Sequence, residues 1–208
     1  ESFAEYMAYR TTSAIGGFDD AWVEFGVIRK LWGYAAERAP STHPVAGSPA
    51  PDAHSALGNF DGISYAKGAS VLRQLIAHIG DEAFVAGVGE YLRSHAFANG
   101  ELAEFIASIE ASAGRSLTAW SAAWLETAGA DRIGLDGDVL TRLAPADHPA
   151  DRPHTLDVAA FAGGREVARV DLVIEGERTP VPGLGDLPRG ALVVPNAGDL
   201  TWAEISLG

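Results

Sequence analysis

The sequence contains no cysteine, so neither a disulfide nor a thiolate metal site can form anywhere in its 208 residues. A chain of this composition fits a reducing compartment, and we expect a cytoplasmic protein. Long apolar stretches are also missing. No run approaches the roughly 20 residues that an α-helix needs to cross a bilayer, so a membrane is not an expected partner.

Basic side chains are scarce as well. The chain has 15 Lys and Arg residues against 28 Asp and Glu residues, which gives a formal net charge of −13. Because proteins bind the phosphates of nucleic acids mainly through clustered Lys and Arg, the absence of any such cluster excludes nucleic acid as an expected partner. An anionic membrane surface is disfavoured for the same electrostatic reason.

Apolar residues make up 47% of the chain, which is ample for a packed core in one large or two small domains. Their spacing changes from three or four residues to two near Ala128-Gly129-Ala130. This change predicts an α+β chain made of two parts. Residues 1–129 are expected to be all-α, and residues 130–208 are expected to form a small antiparallel β-sandwich.

The first part reads as successive amphipathic helices joined by short turns. The predicted helices cover residues 1–14, 20–38, 71–79, 81–95 and 101–113, with a last helix that begins at 116 or 117. In the second helix we expect an apolar stripe to face the core, formed by Trp22, Phe25, Ile28, Leu31, Trp32 and Ala35.

The second part alternates apolar and polar residues over short runs, which is typical of strands. The predicted strands cover residues 133–135, 139–143, 155–160, 168–174, 178–181, 191–194 and 201–207. The pairs Asp136-Gly137 and Gly163-Gly164 stand between runs and predict hairpin turns.

Residues 39–59 show neither period and are rich in Pro and Gly, which predicts a long loop. Loops of this length within a compact domain are usually functional or mobile. His43 and His54 lie in this loop, but no second His or carboxylate stands at the spacing of metal ligands. Both are therefore predicted to be surface or loop-stabilising residues.

One stretch combines an apolar helix with polar and aromatic side chains at its start. It reads Phe60-Asp61-Gly62-Ile63-Ser64-Tyr65-Ala66-Lys67-Gly68-Ala69 and continues as an apolar helix. A phenol at the start of a buried helix can donate a hydrogen bond to a reacting oxygen. The alternative is that Tyr65 is an amphipathic core residue whose hydroxyl is bonded to a neighbour.

This stretch closely resembles a segment of the aminopeptidase N-like zinc metallopeptidases, which are gluzincins with a thermolysin-like catalytic domain. The family pattern is aromatic-Asp-x-Ile-x-Tyr-x-Lys-Gly-Ala followed by an apolar helix. The start of the chain, Glu1-Ser2-Phe3-Ala4, is similar to the Asn-Glu-Gly/Ser-Phe-Ala run of the same family. The resemblance implies that Tyr65 is catalytic and that Glu1 is the third zinc ligand.

The resemblance also implies an activity, the removal of N-terminal residues from peptides by attack of a metal-activated water. The Tyr65 hydroxyl would donate to the oxygen that becomes negative in the transition state. Residues 39–59 become a candidate wall of the substrate site. Lys67 is expected to be structural, either paired with Asp61 or solvated.

The departures from the family pattern limit what this chain is expected to do. It has no His-Glu-x-x-His motif, and none of its six histidines pairs with another four residues away. A catalytic zinc needs three protein ligands, so we expect this chain by itself to bind zinc weakly or not at all and to be inactive. Composition alone also permits a different class, a non-enzymatic module of helices and β-sandwich that binds partners.

Overall fold

The structure, a computed structural model, describes residues 1–47 and 50–207. Its α-helices are α1 (Ser2–Ala14), α2 (Ala21–Glu24), α3 (Lys30–Glu37), α4 (Ala53–Leu57), α5 (Gly68–Ile79), α6 (Asp81–Ser94), α7 (Leu102–Ala113) and α8 (Thr118–Leu125). Two π-helical turns, Phe25–Arg29 and Ile63–Lys67, lead directly into α3 and α5. The helix bounds agree with the sequence predictions to within a few residues.

The strands follow in the second part, with one 3₁₀ turn at Leu184–Asp186. They are β1 (Asp131–Asp136), β2 (Val139–Leu143), β3 (His154–Ala162), β4 (Arg165–Ile174), β5 (Arg178–Pro180), β6 (Leu192–Pro195) and β7 (Ala203–Ser206). Helices followed by strands make the chain α+β, as the sequence predicts. The division into domains at residue 129 stays a prediction.

Helix α5 lies at the centre of the helical part, where it contacts α1, α6 and α8. Its residues from Gly68 to Leu72 are all buried. Other helices contribute apolar side chains to the same core, among them Tyr6, Phe25, Phe84, Ile109, Leu117, Trp120 and Trp124. At about 1.5–3 kcal/mol for each fully buried large side chain, this cluster supplies much of the force that holds the helices around α5.

The helix over residues 20–38 forms as predicted, but its predicted core stripe is only partly right. Phe25 is fully buried, whereas three later members of the stripe are exposed by 56%, 63% and 38%, namely Ile28, Leu31 and Trp32. The π turn adds one residue to this helix, which rotates everything after it by about 100°. The residues that then face the interior are Lys30, Gly33 and Glu37.

The predicted loop at residues 39–59 also differs from the structure, because it contains the short helix α4. Asp52 begins this helix, and its carboxylate accepts a hydrogen bond from the Ser55 N–H at 2.7 Å. The part of the loop prediction that covers residues 48–49 lies outside the described residues.

The strands form two sheets, with the order β5-β2-β1-β7 in one and β4-β3-β6 in the other. Both sheets contribute to one apolar cluster, which contains Ile133, Leu140, Leu156, Val158, Ile174, Val181 and Ala203. Most neighbours are antiparallel, as predicted. The prediction is wrong for β1 and β7, which pair in parallel with Ile133 opposite Ile205.

Polar side chains join the helical part to the sheets. The Gln74 amide on α5 donates to the carbonyls of Thr155 and Leu200 at 2.7 and 3.1 Å, and its oxygen accepts from the Thr155 N–H at 2.6 Å. On α3 the buried Lys30 ammonium lies 2.5 Å from the Asp199 carboxylate. Because these polar bonds are directional, they fix the position of the helical part relative to the sheets, which apolar contacts alone would not do.

We expect Gly62→Ala to destabilise the fold by about 1–3 kcal/mol, the usual cost of overpacking. A methyl group at Gly62 would lie 2.7 Å from the Trp32 carbonyl oxygen and 2.8 Å from the Gly33 Cα, both of which belong to a packed helix backbone. Urea denaturation measures the effect. Gly176→Ala is the control, because a Cβ there meets nothing within 4 Å. Equal midpoints for the two variants would contradict the close packing of these helices.

Candidate functional site

The start of the π turn that leads into α5 is held in place by Asp61. One oxygen of its carboxylate accepts hydrogen bonds from the backbone N–H groups of Ile63 and Ser64 at 2.9 and 3.1 Å. Its other oxygen lies 3.1 Å from Nε2 of His43, whose Nδ1 is 2.8 Å from the Pro44 carbonyl. His43 is therefore loop-stabilising, as predicted, and it attaches the 39–47 segment to the start of this π turn.

Tyr65, the candidate catalytic residue, lies in the π-helical turn Ile63–Lys67. Single π turns of this kind are frequent at functional sites because they change the direction of side chains within a helix. Tyr65 is half-buried, and its ring lies 6.1 Å from the ring of Trp32 and 6.0 Å from that of Phe60. Both neighbours are themselves exposed, by 38% and 52%. Tyr65 thus stands in an aromatic group at the surface.

The hydroxyl of Tyr65 has no hydrogen-bond partner in the part of the chain that the structure describes. Two other tyrosines differ: the hydroxyl of Tyr34 donates to the Ala203 carbonyl at 2.7 Å, and that of Tyr9 donates to Glu24 at 2.6 Å. A half-buried phenol without such a bond can donate its O–H to an acceptor that is not one of the described residues.

The first residues of the chain lie directly beside this turn. Glu1 is exposed and precedes α1, and its carbonyl accepts the Glu5 N–H at 2.9 Å. The Ser2 hydroxyl donates to the Ser64 carbonyl at 2.7 Å, although the two residues are 62 positions apart. Gly68 allows this approach, since a Cβ there would lie 2.0 Å from the Ser2 oxygen. The residue after Glu1 therefore touches the residue before Tyr65.

The residues present do not complete a metal site. Within residues 1–47 and 50–207, no group of three or more His, Cys, Asp or Glu side chains is arranged to hold a metal ion. His43 and His54 belong to the segment that precedes residue 60, and His43 is already engaged by Asp61. Glu1 is thus a single candidate ligand, and the chain by itself does not fit a catalytic zinc, which needs three.

Lys67 lies in the same π turn as Tyr65, and the prediction of its partner is wrong. It is neither solvated nor paired with Asp61: it is 1% exposed, and its ammonium lies 2.7 Å from the carboxylate of Glu37. The sequence offered no sign of this partner, because the π turn in the 20–38 helix decides that Glu37 faces inward. Glu37 and Lys67 are also far apart in the chain, so no rule for pairs three or four residues apart could have predicted the ion pair.

Glu37 accepts three further hydrogen bonds. The donors are the Thr42 hydroxyl at 2.8 Å, the Gly129 N–H at 2.7 Å and the Trp202 indole N–H at 3.0 Å. Burial alone would raise the pKa of the Glu37 carboxyl, but the Lys67 ammonium and these donors outweigh it and hold that pKa below its usual range. Each carboxylate oxygen has two donors, so the buried charge is fully satisfied.

Ser2 and Gly68 also form part of the wall of an apolar cavity of about 440 Å³. Its walls are mostly aliphatic and aromatic side chains of α5, α7 and α8, among them Leu72, Leu75, Phe105, Ile106 and Trp120. The cavity adjoins the same two residues that bring α1 against the π turn. Its walls carry few polar groups, so it indicates apolar contact and no particular reaction.

The chain as described contains no helix that is both long enough and apolar enough to span a membrane.

Comparison with known proteins agrees with the resemblance inferred from residues 1–8 and 60–75. A model of the peptidase family M1 domain matches residues 1–124. Aminopeptidase N of Streptomyces lividans is 40% identical over 230 aligned residues, which cover 100% of this chain and 27% of that protein. Tricorn protease-interacting factor F2 of Thermoplasma volcanium is 36% identical over 142 residues, 66% of this chain and 18% of that protein.

Aminopeptidase M1 of Arabidopsis thaliana is 28% identical over 131 residues, 62% of this chain and 14% of that protein. The chain thus spans about a quarter or less of the length of these relatives. The family match covers more than half of the chain and includes both motifs, so the predicted resemblance is confirmed. This chain belongs to peptidase family M1, as an aminopeptidase N-like member.

Proposed function

We propose that the chain is part of a zinc-dependent aminopeptidase that removes N-terminal residues from peptides. The observation that carries the proposal is the contact between Ser2 and Ser64, because it lies between the two residues that the family pattern marks. Glu1 is proposed as a zinc ligand and Tyr65 as a catalytic hydrogen-bond donor. The aminopeptidase names of relatives that match the whole chain or most of it support the same reaction.

The chemistry proposed for Tyr65 follows from its position. Tyr65 is half-buried, its hydroxyl has no partner among the described residues, and its ring lies near those of Trp32 and Phe60. A phenol held in this way donates to a substrate carbonyl oxygen as that oxygen gains negative charge. Such a donor stabilises the transition state more than the ground state, which is the condition for raising the rate.

The architecture that we propose for the intact protein follows the family. Residues 1–129 would be the helical rear portion of a thermolysin-like catalytic domain, and residues 130–208 the β-sandwich that follows it. The remaining zinc ligands and the general base would come from polypeptide that lies outside this chain. On this proposal the chain alone is inactive. The cytoplasm is the proposed compartment, on the basis of the missing cysteines.

The test compares this chain with the intact protein, meaning a chain of the length of its relatives. The intact protein should hydrolyse aminoacyl-p-nitroanilides, lose that activity on treatment with a chelator, and regain it with zinc. The 208-residue chain should show no turnover, and calorimetric titration with zinc should give weak binding or none. Activity in the short chain, or an intact enzyme that stays fully active without metal, would contradict the proposal.

One variant separates the role of Glu1 from general effects. Glu1→Gln in the intact protein should lower zinc content and turnover together, since it removes one of three ligands. Glu90→Gln is the matched control, because that carboxylate lies on the surface of α6, where it pairs with Arg93. Zinc content unchanged by Glu1→Gln would show that this carboxylate is not a ligand.

A further inference from the structure

We propose that Glu37 and Lys67 are positioning residues for Tyr65, and that Trp202 from the β part acts through them. The inference rests on the proposed catalytic role of Tyr65. It concerns the side of the π turn that faces away from the surface, where the family pattern assigns no role in the reaction.

The first step is the geometry of the π turn. Tyr65 and Lys67 are two residues apart, and residues at that separation in a helix point to opposite sides. The burial agrees with this, because Tyr65 is half-buried at the surface while Lys67 is 1% exposed. Any movement of the Lys67 backbone is therefore transmitted directly to the phenol through a single turn of five residues.

The second step is that Lys67 is held on several sides. Its ammonium lies 2.7 Å from the Glu37 carboxylate and 3.4 Å from the carbonyl oxygens of Thr127 and Gly129. Those two carbonyls belong to the segment that connects α8 to β1. The π turn is thus attached both to α3 and to the connection between the helical part and the sheets.

The third step is the part played by Trp202, which immediately precedes β7 and is 1% exposed. Its indole N–H donates to the same Glu37 oxygen that receives Lys67, at 3.0 Å. Its ring stacks on Tyr34 at 4.0 Å between centroids. Gly33 allows the ring to lie against the helix, since a Cβ there would be 2.7 Å from it. The β part therefore reaches the turn that carries Tyr65 through one carboxylate.

A purely structural role is the alternative to be tested, because removing one partner of a buried ion pair is itself destabilising. A second buried lysine allows a direct comparison. Lys30 is 4% exposed and also joins the helical part to the β part, through Asp199 and the Thr201 carbonyl, but among the described residues it makes no hydrogen bond to Glu37 or to the π turn Ile63–Lys67. If both lysines only held the fold together, the removal of either would leave the kcat of the folded enzyme unchanged.

The experiment uses the intact protein with Lys67→Met and, as the matched control, Lys30→Met. We expect Lys67→Met to lower kcat about ten- to a hundredfold with KM changed less than twofold, since a displacement near 1 Å costs up to about a hundredfold. Lys30→Met should leave kcat within about threefold of wild type. Zinc content should be unchanged in both.

A second readout does not depend on activity. The protein is labelled with 3-fluorotyrosine, and the ¹⁹F resonance of Tyr65 is the one that Tyr65→Phe removes. Lys67→Met and Trp202→Phe should shift or broaden this resonance, while Lys30→Met should leave it in place. Trp202→Phe keeps an aromatic ring but removes the N–H donor and part of the buried ring, and it leaves Glu37 and Lys67 in place, so it remains informative if Lys67→Met does not fold.

The outcomes separate the two proposals. An unmoved Tyr65 resonance in both Lys67→Met and Trp202→Phe, or equal losses of kcat in the two lysine variants, would overturn the positioning role. An intact protein without aminopeptidase activity would instead refute the proposed function. In that case the fluorine resonance still decides whether Glu37, Lys67 and Trp202 position Tyr65.

Discussion

Tyr65→Phe should lower the kcat of the intact enzyme about 10²–10³-fold, the usual cost of removing one donor to a developing oxyanion. The substitution removes a single oxygen atom and leaves the ring between Trp32 and Phe60. The hydroxyl has no partner among the described residues, so its loss breaks no bond in that part of the fold. The expected change is therefore in turnover and not in stability.

Steady-state kinetics on an aminoacyl-p-nitroanilide measures this effect, together with zinc content and the midpoint of thermal unfolding. Tyr9→Phe is the matched control, since it also removes a phenol oxygen, one that donates to Glu24 at 2.6 Å. The control should stay within about twofold of wild type, in line with the small effect of exposed hydrogen bonds. A Tyr65→Phe enzyme as fast as wild type would show that another group stabilises the oxyanion.

Asp131→Asn should destabilise the fold by about 3–5 kcal/mol, the cost of removing one partner from a buried set of charges. Asp131 is fully buried on β1 and accepts from Arg142 at 2.7 Å, Arg152 at 2.6 Å and His154 at 3.0 Å. Burial by itself raises the pKa of Asp131, but these three partners outweigh it and hold that pKa below its usual range. The neutral amide leaves two guanidinium groups, both at most 8% exposed, without a counter-charge at this position.

The same strand provides the control for this variant. Asp136 pairs with Arg178, but both side chains are more than half exposed. Asp136→Asn should therefore cost less than about 1 kcal/mol. Urea denaturation of the 208-residue chain compares the two variants. A loss for Asp131→Asn as small as that for Asp136→Asn would mean that the buried arginines find other partners or water.

Most secondary structure was predictable because its causes are local. In α7, Glu101 and Glu104 form a reciprocal capping box, and Gly114 ends the helix with a φ of 64°. The hairpin between β3 and β4 turns at Gly163 and Gly164, which both have positive φ. Such signals lie within a few residues of the element that they begin or end, so they can be read directly from the chain.

Part of the candidate site could also be predicted from local sequence. Glu1 and Tyr65 were identified because each lies within a short motif of its own, and the family match includes both motifs. Their proposed roles remain to be tested by the zinc and kinetic experiments above. What the motifs did not indicate was how the two segments come together, with Ser2 bonded to Ser64 and lying against Gly68.

The sequence by itself determined the period of each element, and hence the α+β class, because periodicity depends on which residues stand two, three or four positions apart. Tertiary structure decided which face is buried and which partner is chosen. The π turn at Phe25–Arg29 turned Ile28 and Leu31 outward and Glu37 inward. Glu37 then paired with Lys67, and β1 took β7 as a parallel neighbour. These choices depend on groups far apart in the chain, whose energies appear only when the backbone brings them together.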